Sequence, residues 1–254
     1  MTEGPNLARA TNYLMGGGAN FAADRAAVNE MLAMDPGLGR RIQASRAFVS
    51  RAVRDALDDG CDQFLELGAG IPAPGGLHSL VGPAARVVYV DVDPVAVAST
   101  REVLVGPDAD GVAVVQADLH DADGVLAQVT AGGLLDLGRP VTVVCSSVLQ
   151  WLADSDGPTL ARVFATYHDG LAPGSLLVIS TAHPDDLADH EADEKQPIIS
   201  RAVAPVRLRG RSELARIVGA WDLLPPGIVD VVDWPETSGA DTAGFYGVVC
   251  AARR

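Results

Sequence analysis

Apolar positions along this chain follow two rhythms. Before residue 60 they recur at helical spacing. Residues 7–14 and 21–34 flank the run Gly16-Gly17-Gly18, and 38–58 sets Ile42, Phe48, Val49, Ala52, Val53, Ala56 and Leu57 toward a core. Asn20 stands where an N-cap of the second helix belongs, Asp35-Pro36-Gly37 stops that helix, and Gly60 ends the third. From residue 62 the pattern changes to short continuous apolar runs separated by amphipathic stretches. Strands are expected at 62–67, 86–91, 112–117, 139–146 and 174–180, with helices at 77–82, 94–104, 121–131 and 157–171. Strands that are apolar at successive positions are covered on both faces, and their alternation with helices indicates a parallel sheet built from right-handed crossovers.

The acidic stretch 185–194 reads as a solvated helix or loop, and 211–219 as a helix. Two β-rich runs follow, Ile228–Trp234 and Phe245–Ala251, joined by the flexible segment 235–244. With no crossover helix between them, they must pair antiparallel or separate. The expected fold is α/β: a mostly parallel seven-stranded sheet ending in an antiparallel hairpin, with an N-terminal helical extension. Residues 1–59 are assigned to a helical cover and 60–254 to a cofactor-binding domain.

The chemistry concentrates at strand ends. Gln63-Phe-Leu-Glu-Leu-Gly-Ala-Gly-Ile-Pro72 is a strand running into a glycine turn, and Arg86-Val-Val-Tyr-Val-Asp-Val-Asp-Pro94 is a strand running into a carboxylate. Neighbouring strand ends of this kind hold a nucleoside-bearing cofactor. Gly68 and Gly70 let the backbone approach the ligand, and Asp91 can accept from two ribose hydroxyls. Glu66 can orient the loop or accept from an ammonium, and Asp118, before Leu119, can accept from an adenine amine or shape its pocket. The competing role for such carboxylates is to cap the following helix, and Asp93 before Pro94 suits that role. Pro72 and Pro74 delay the next helix, and no Gly-x-x-x-x-Gly-Lys is present. A cofactor without phosphates therefore fits better than a dinucleotide, and S-adenosylmethionine is the first choice. An NAD-dependent oxidoreductase is a distant alternative.

Charge and cysteines narrow the partners. Nineteen basic against 33 acidic residues give a formal charge of -14, a surface that repels phosphate backbones, so no nucleic-acid partner is expected. Arg40, Arg41, Arg46, Arg51 and Arg54 read as a solvated stripe or an interface. Cys61, Cys145 and Cys250 form no CxxC or zinc pattern and read as buried thiols. The five histidines make no metal site. The first twenty residues lack the halves of a signal peptide, and no apolar run reaches the length of a membrane span, so a cytoplasmic location without membrane contact is expected. The oligomeric state, a homodimer included, stays open.

One stretch is more specific than any glycine turn: Ala8-Arg9-Ala-Thr-Asn-Tyr13-Leu-Met-Gly16-Gly17-Gly-Ala-Asn20-Phe21-Ala-Ala-Asp24-Arg25. With Arg46-Ala47-Phe48, Gln63–Pro72, His78, Arg86–Asp91, Asp93-Pro94, Pro173-Gly174-Ser175 and Pro226-Gly227, the chain resembles the actinobacterial S-adenosyl methyltransferase family, formerly a domain of unknown function, within the Rossmann-like Class I methyltransferases. The resemblance runs from Asn6 to about Ala251 and implies S-adenosylmethionine as cofactor, S-adenosylhomocysteine as product, and a place in secondary metabolism. The departures are equally informative. The family's Tyr-Asp-Tyr is Thr11-Asn12-Tyr13, its Lys-Asp is Gly18-Ala19, and its histidines after the second and fourth strands are Ser99 and Gln150. The cofactor half is kept while polar groups expected to face a substrate are changed, which implies a specialised acceptor.

Methyl transfer from a sulfonium needs alignment and exclusion of water, and a base only where the acceptor must lose a proton. Ser146 is expected at the amino-acid end of the cofactor. Gln150 and Trp151 are expected to wall the acceptor, unless Trp151 is core. Tyr13, with Asn12 and Asn20, is expected to close over the site, where Tyr13 can donate a hydrogen bond to the acceptor or stack on it. His183 is the first choice for a general base, with a solvent-facing or loop-stabilising role as its alternative. The expected acceptor is a small indole- or phenol-like metabolite, methylated at O, N or C. A noncatalytic regulatory protein that binds S-adenosylmethionine or S-adenosylhomocysteine is the alternative.

Overall fold

The apolar runs form one sheet, with β1 (Gln63–Leu67), β2 (Arg86–Asp91), β3 (Val112–Gln116), β4 (Thr142–Ser146), β5 (Leu176–Ala182), β6 (Asp222–Leu223), β7 (Val229–Asp230) and β8 (Phe245–Ala251). The computed structural model describes residues 4–105, 110–152, 159–184, 206–237 and 243–252, so the acidic stretch 185–194 and His190 lie outside the described residues. The helices are α1 (Leu7–Leu14), α2 (Ala22–Met34), α3 (Leu38–Asp58), α4 (Leu77–Val81), α5 (Pro94–Val103), α6 (Ala122–Ala131), α7 (Leu160–Asp169) and α8 (Arg211–Ile217).

Strand order is β3-β2-β1-β4-β5-β8-β6, a seven-strand path, with β7 pairing β8 off that path. The first five strands are mutually parallel, and β8 runs antiparallel to β5, β6 and β7. Successive side chains along each strand enter opposite layers. Leu65, Leu67, Val88, Val90, Val143 and Cys145 pack with α6, α7 and α8. Phe64, Val87, Tyr89 and Val144 pack with Phe48, Val49 and Val53 of α3 and Leu77 of α4. Thus α3 belongs to the helical layer of the sheet, while α1 and α2 pack on each other and α1 reaches α5.

The antiparallel end is built differently from the expected hairpin. Ile228–Trp234 is not one strand, because only Val229–Asp230 pairs with β8 before Val231–Asp233 turns into a 3-10 helix. Asp230 causes the turn: one carboxylate oxygen accepts from Val232 N, the other from Ala243 N and Gly244 N. The outermost place is taken by Asp222–Leu223, two exposed residues with no apolar run to announce them. Two caps also differ in outcome. Asp93 caps α5 as expected, accepting from Val95 N ahead of Pro94. Phe21, not Asn20, holds the N-cap position of α2, where its N–H donates to Asp24.

The arginine-rich segment is largely tied into the fold. Arg41 pairs with Asp35, Arg46 donates to the carbonyls of Met15 and Pro74, and Arg51 donates to those of Trp234 and Val231. Cys145 and Cys250 are buried, but Cys61 is only half-buried beside Gln63 O, a correction to the expectation of three buried thiols.

Candidate functional site

Register brings the site together. Leu67 lies level with Val90, Asp91 with Gln116, Glu66 with Val144 and Ser146 with Ser180. The glycine turn, Asp91, Asp118 and Ser146 therefore collect at one edge, above the C-terminal ends of the parallel strands. Gly68 and Gly70 both have left-handed φ, +65° and +59°. A Cβ on Gly68 would also sit 2.7 Å from the methyl carbons of Val148, so the two loops can close only around glycine. Helix α4 begins nine residues after Gly68 and has only five residues, so no helix N-terminus abuts the turn to receive a pyrophosphate.

A cleft of about 290 Å³ lies over this edge, lined by Glu66, Gly68, Gly70, Asp91, Asp118, Leu119 and Ser146 together with residues of α1 and α3. All seven expected cofactor residues line it. Asp91 accepts from Gly70 N at 2.7 Å with one oxygen and from Asp93 N at 2.9 Å with the other. Each carboxylate oxygen has a further lone pair, so the side chain can still accept from two hydroxyls. Burial pushes its pKa up, and the Asp93 and Gly70 amides oppose that. Asp118 is more open, and its Oδ1 accepts from His120 N and meets the ring Nδ1. Its pKa is lowered: burial opposes ionisation, but the His120 contacts outweigh it. His120 thus braces the candidate adenine carboxylate.

At the other end of the cleft, Glu66 and Arg46 face the same space and also border a smaller recess of about 70 Å³ with Tyr89 and Ser146. Glu66 is half-buried and keeps some surface toward the cleft. Burial pushes its pKa up to about 8, Arg46 pulls it down, and Asp91 adds to the rise. A carboxyl and a guanidinium side by side are complementary to the ammonium and carboxylate of an amino acid. Arg46 was not singled out for this role, although Arg46-Ala47-Phe48 is part of the family resemblance.

Helix α1 roofs the cleft with Leu7, Ala8 and Thr11. Asn6 caps α1 through Arg9 N and donates to Asp93 at 2.7 Å, linking the roof to the β2 end. Asp24, fully buried, gathers Arg9 Nε at 2.7 Å and the amides of Asn6 and Phe21. These donors hold its pKa low against the opposing effect of burial. Asn12 does not face an acceptor. It is 1% exposed, donates to the carbonyls of Ile71 and Pro72, and accepts from Ala19 N and Asn20 Nδ2. Asn20 also donates to Gly17 O, and it borders a separate recess with Ser99 and Glu102. Asn12 ties the glycine-rich loop to the nucleotide turn, and Asn20 braces the loop through Gly17 O and Asn12 while its own Oδ1 accepts from Arg25.

The turn after β4 is braced as firmly. Gln150, expected to wall the acceptor, is 5% exposed; it donates to Ser147 O and accepts from Thr181 Oγ1. Arg209, fully buried, donates to the carbonyls of Leu149 and Leu152. Trp151 does line the cleft, with Leu152. Tyr13 is half-buried and lines neither the cleft nor the recess. His183 is also outside both linings: β5 runs two residues beyond the expected end, pairs through Ala182 with Phe245, and carries His183 onto the ring of Tyr246 at 3.8 Å. Its Nε2 faces Asp230 at 3.7 Å. His78 meets the Tyr89 hydroxyl at 2.7 Å, and His168 pairs with Asp169. Among the described residues no group of histidine, cysteine and carboxylate ligands could hold a metal, and no helix is long and apolar enough to cross a membrane.

A carboxylate for a diol, a second for an adenine amine, and a carboxyl–guanidinium pair for an amino acid fit S-adenosylmethionine. Comparison with known proteins agrees. A search of functionally curated proteins finds no match. A crystal structure of a candidate methyltransferase from Thermobifida fusca YX superposes with TM-score 0.86 at 28% identity, covering 100% of this chain and 97% of that one. A DUF574 family protein from Streptomyces avermitilis MA-4680 gives 0.86 at 29% identity, covering 100% and 99%. At the level of fold alone, a Burkholderia thailandensis 1,6-didemethyltoxoflavin-N1-methyltransferase with bound 1,6-didemethyltoxoflavin and S-adenosylhomocysteine gives 0.53 at 16% identity, covering 83% and 79%. The S-adenosyl methyltransferase family model matches residues 1–252, so with its cofactor edge intact the chain belongs to that family and is an S-adenosylmethionine-dependent methyltransferase.

Proposed function

We propose that the protein methylates a small, largely apolar metabolite carrying an aromatic ring, at an oxygen, nitrogen or carbon that is nucleophilic without help from a histidine. The observation that carries this reading is the division of the cleft. Of its five charged groups, Glu66, Arg46, Asp91 and Asp118 are matched to the cofactor and Asp93 is held by Asn6 and the α5 cap, while Met15, Ile42, Trp151 and Leu152 supply an apolar remainder. A desolvated apolar wall with one indole suits a flat apolar ring better than a polyanion. Tyr13 and His183 have no place in the cleft lining, so neither is proposed as catalytic.

In this reading Asp91 holds the ribose, Asp118 and Leu119 border the adenine, and Glu66, Arg46 and Ser146 take the amino-acid end. Residues 1–59 act as the helical cover, with α1 as its roof and α3 anchoring it to the sheet. Bound there, S-adenosylmethionine supplies an electrophilic methyl group. The work of the chain is to align the acceptor and keep water away. The Burkholderia protein, whose printed name gives a small heteroaromatic acceptor, lends support by fold only. A panel of indoles, phenols and N-heterocycles, tested with S-adenosylmethionine labelled at the methyl carbon, checks the proposal. Label transferred to a panel member supports it. Label recovered only on added RNA or protein overturns it.

A further inference from the structure

Ser147 is the residue between the two ends of the cleft that neither the fold nor the cofactor assignment has used. Among the described residues it is the single non-glycine with positive φ, +55°. That conformation is unfavourable for a residue bearing a Cβ, so the surrounding structure must impose it. Two bonds do: Ser147 N donates to Ser180 O at 2.9 Å, and Gln150 Nε2 donates to Ser147 O at 2.9 Å. Gln150, which the sequence offered as an acceptor wall, is thereby a brace for Ser147. The next residue, Val148, is the one pressed against the Gly68 backbone.

The hydroxyl is oriented as well as placed. Ser45 Oγ, buried at 1% exposure, donates its one proton to Ser180 Oγ at 2.9 Å. Ser45 Oγ also lies 3.4 Å from Ser147 Oγ. A hydroxyl has one proton and two lone pairs. With the proton of Ser45 already used, the long contact to Ser147 is made only if Ser147 donates inward. In that arrangement the oxygen of Ser147, a residue of the cleft lining, keeps lone pairs and no free proton. The group that meets it must be positive or a donor.

Resting on the cofactor site proposed above, we infer that Ser147 is a positioning residue for the sulfonium, setting an oxygen lone pair against the polarised methyl group. The ribose end is fixed at Asp91 and the amino-acid end at Glu66 and Arg46. The sulfur joins these two ends, and the walls between them are Gly68 and the Ser147–Val148 turn. A methyl on a positively charged sulfur carries acidic C–H groups that favour an oxygen acceptor, whereas the neutral sulfur of S-adenosylhomocysteine presents neither charge nor methyl.

The test compares the affinities of S-adenosylmethionine and S-adenosylhomocysteine by calorimetry, and so needs no acceptor. Ser147→Gly keeps the left-handed backbone without strain and removes the hydroxymethyl group, a loss of packing common to both ligands, so the oxygen is read from the ratio of the two affinities. The variant is expected to weaken S-adenosylmethionine about two- to fivefold more than it weakens S-adenosylhomocysteine. Ser45→Ala frees the Ser147 proton to turn into the cleft and is expected to shift the ratio in the same direction. Equal losses for both ligands, or an unchanged ratio in Ser147→Gly, overturn the inference while leaving the cofactor site standing. Failure of the unaltered protein to bind either ligand removes the site itself.

Discussion

The protonation of Glu66 links stability, cofactor binding and pH in one experiment. Its pKa is 4.5 unperturbed and about 8 in the folded cleft. The native state therefore keeps a proton that the unfolded chain has lost, and stability falls as pH rises from about 4.5 to about 8. Glu66→Gln replaces the protonated acid with a neutral group of similar shape. The shift of about 3.5 pKa units corresponds to a ceiling of about 5 kcal/mol above pH 8. The surface that Glu66 keeps toward the cleft brings in solvent screening, so a realized gain of about 2–3 kcal/mol is expected. For a domain of this size that raises Tm by roughly 4–12 °C at pH 8.5, against no more than about 2 °C at pH 5. Binding adds a second readout. At pH 7 a group with pKa near 8 is about nine-tenths protonated. The ammonium of S-adenosylhomocysteine should expel most of that proton, making the binding enthalpy depend on the ionisation enthalpy of the buffer. Glu66→Gln should abolish that dependence. A variant whose stability difference is flat across this pH range, or a native protein that binds with no proton release, refutes the reasoning.

Asn12→Ala deletes the four hydrogen bonds of a buried amide and strands the carbonyls of Ile71 and Pro72, so thermal or urea unfolding should show a loss of about 2–3 kcal/mol, with S-adenosylhomocysteine affinity reduced as well. A Cβ on Gly17 would occupy the space of the Asn12 amide, so Gly17→Val should reproduce much of that loss on the same assays, whereas Gly18→Val, with open space around it, should not. Arg9→Ala leaves the fully buried Asp24 without its guanidinium, and chemical denaturation should register a cost of about 3–5 kcal/mol at pH 7. His183→Gln should leave S-adenosylhomocysteine affinity within about twofold by calorimetry, because the ring packs on Tyr246 away from the cleft.

The sheet, and the gathering of the expected cofactor residues at one strand edge, were legible because they obey local rules. Runs of buried β-branched residues mark strands, and a glycine turn followed by Asp91 reports a parallel strand edge whichever side chains surround it. Asp93 and Pro94 were readable as a cap because capping acts over three residues. What escaped depends on long-range partners. Asp222–Leu223 becomes a strand only because β8 offers it an edge. Ile228–Trp234 has strand composition, yet Asp230 turns it by binding amides more than ten residues away. The polar residues read as facing an acceptor suffered most. Asn12, Asn20 and Gln150 are amides with both donors and acceptors, and nearby backbone groups together with the side chains of Arg25 and Thr181 claimed them. Arg46 was grouped with a charged stripe because helical spacing records which residues share a face, and not which carbonyls lie opposite. His183 was placed by the strand end expected at 180, and β5 runs on to Ala182, which delivers the ring onto Tyr246.

The central claim, that the strand edge binds S-adenosylmethionine through Asp91, is tested most directly by titrating S-adenosylhomocysteine into the purified protein and into Asp91→Asn. The account predicts one site per chain with micromolar or tighter affinity. It predicts a loss of roughly ten- to a hundredfold in the variant, as charge-assisted bonds to the ribose weaken, and no heat from NAD. Equal affinity in the two proteins with the fold intact, or binding of NAD in place of S-adenosylhomocysteine, would contradict it.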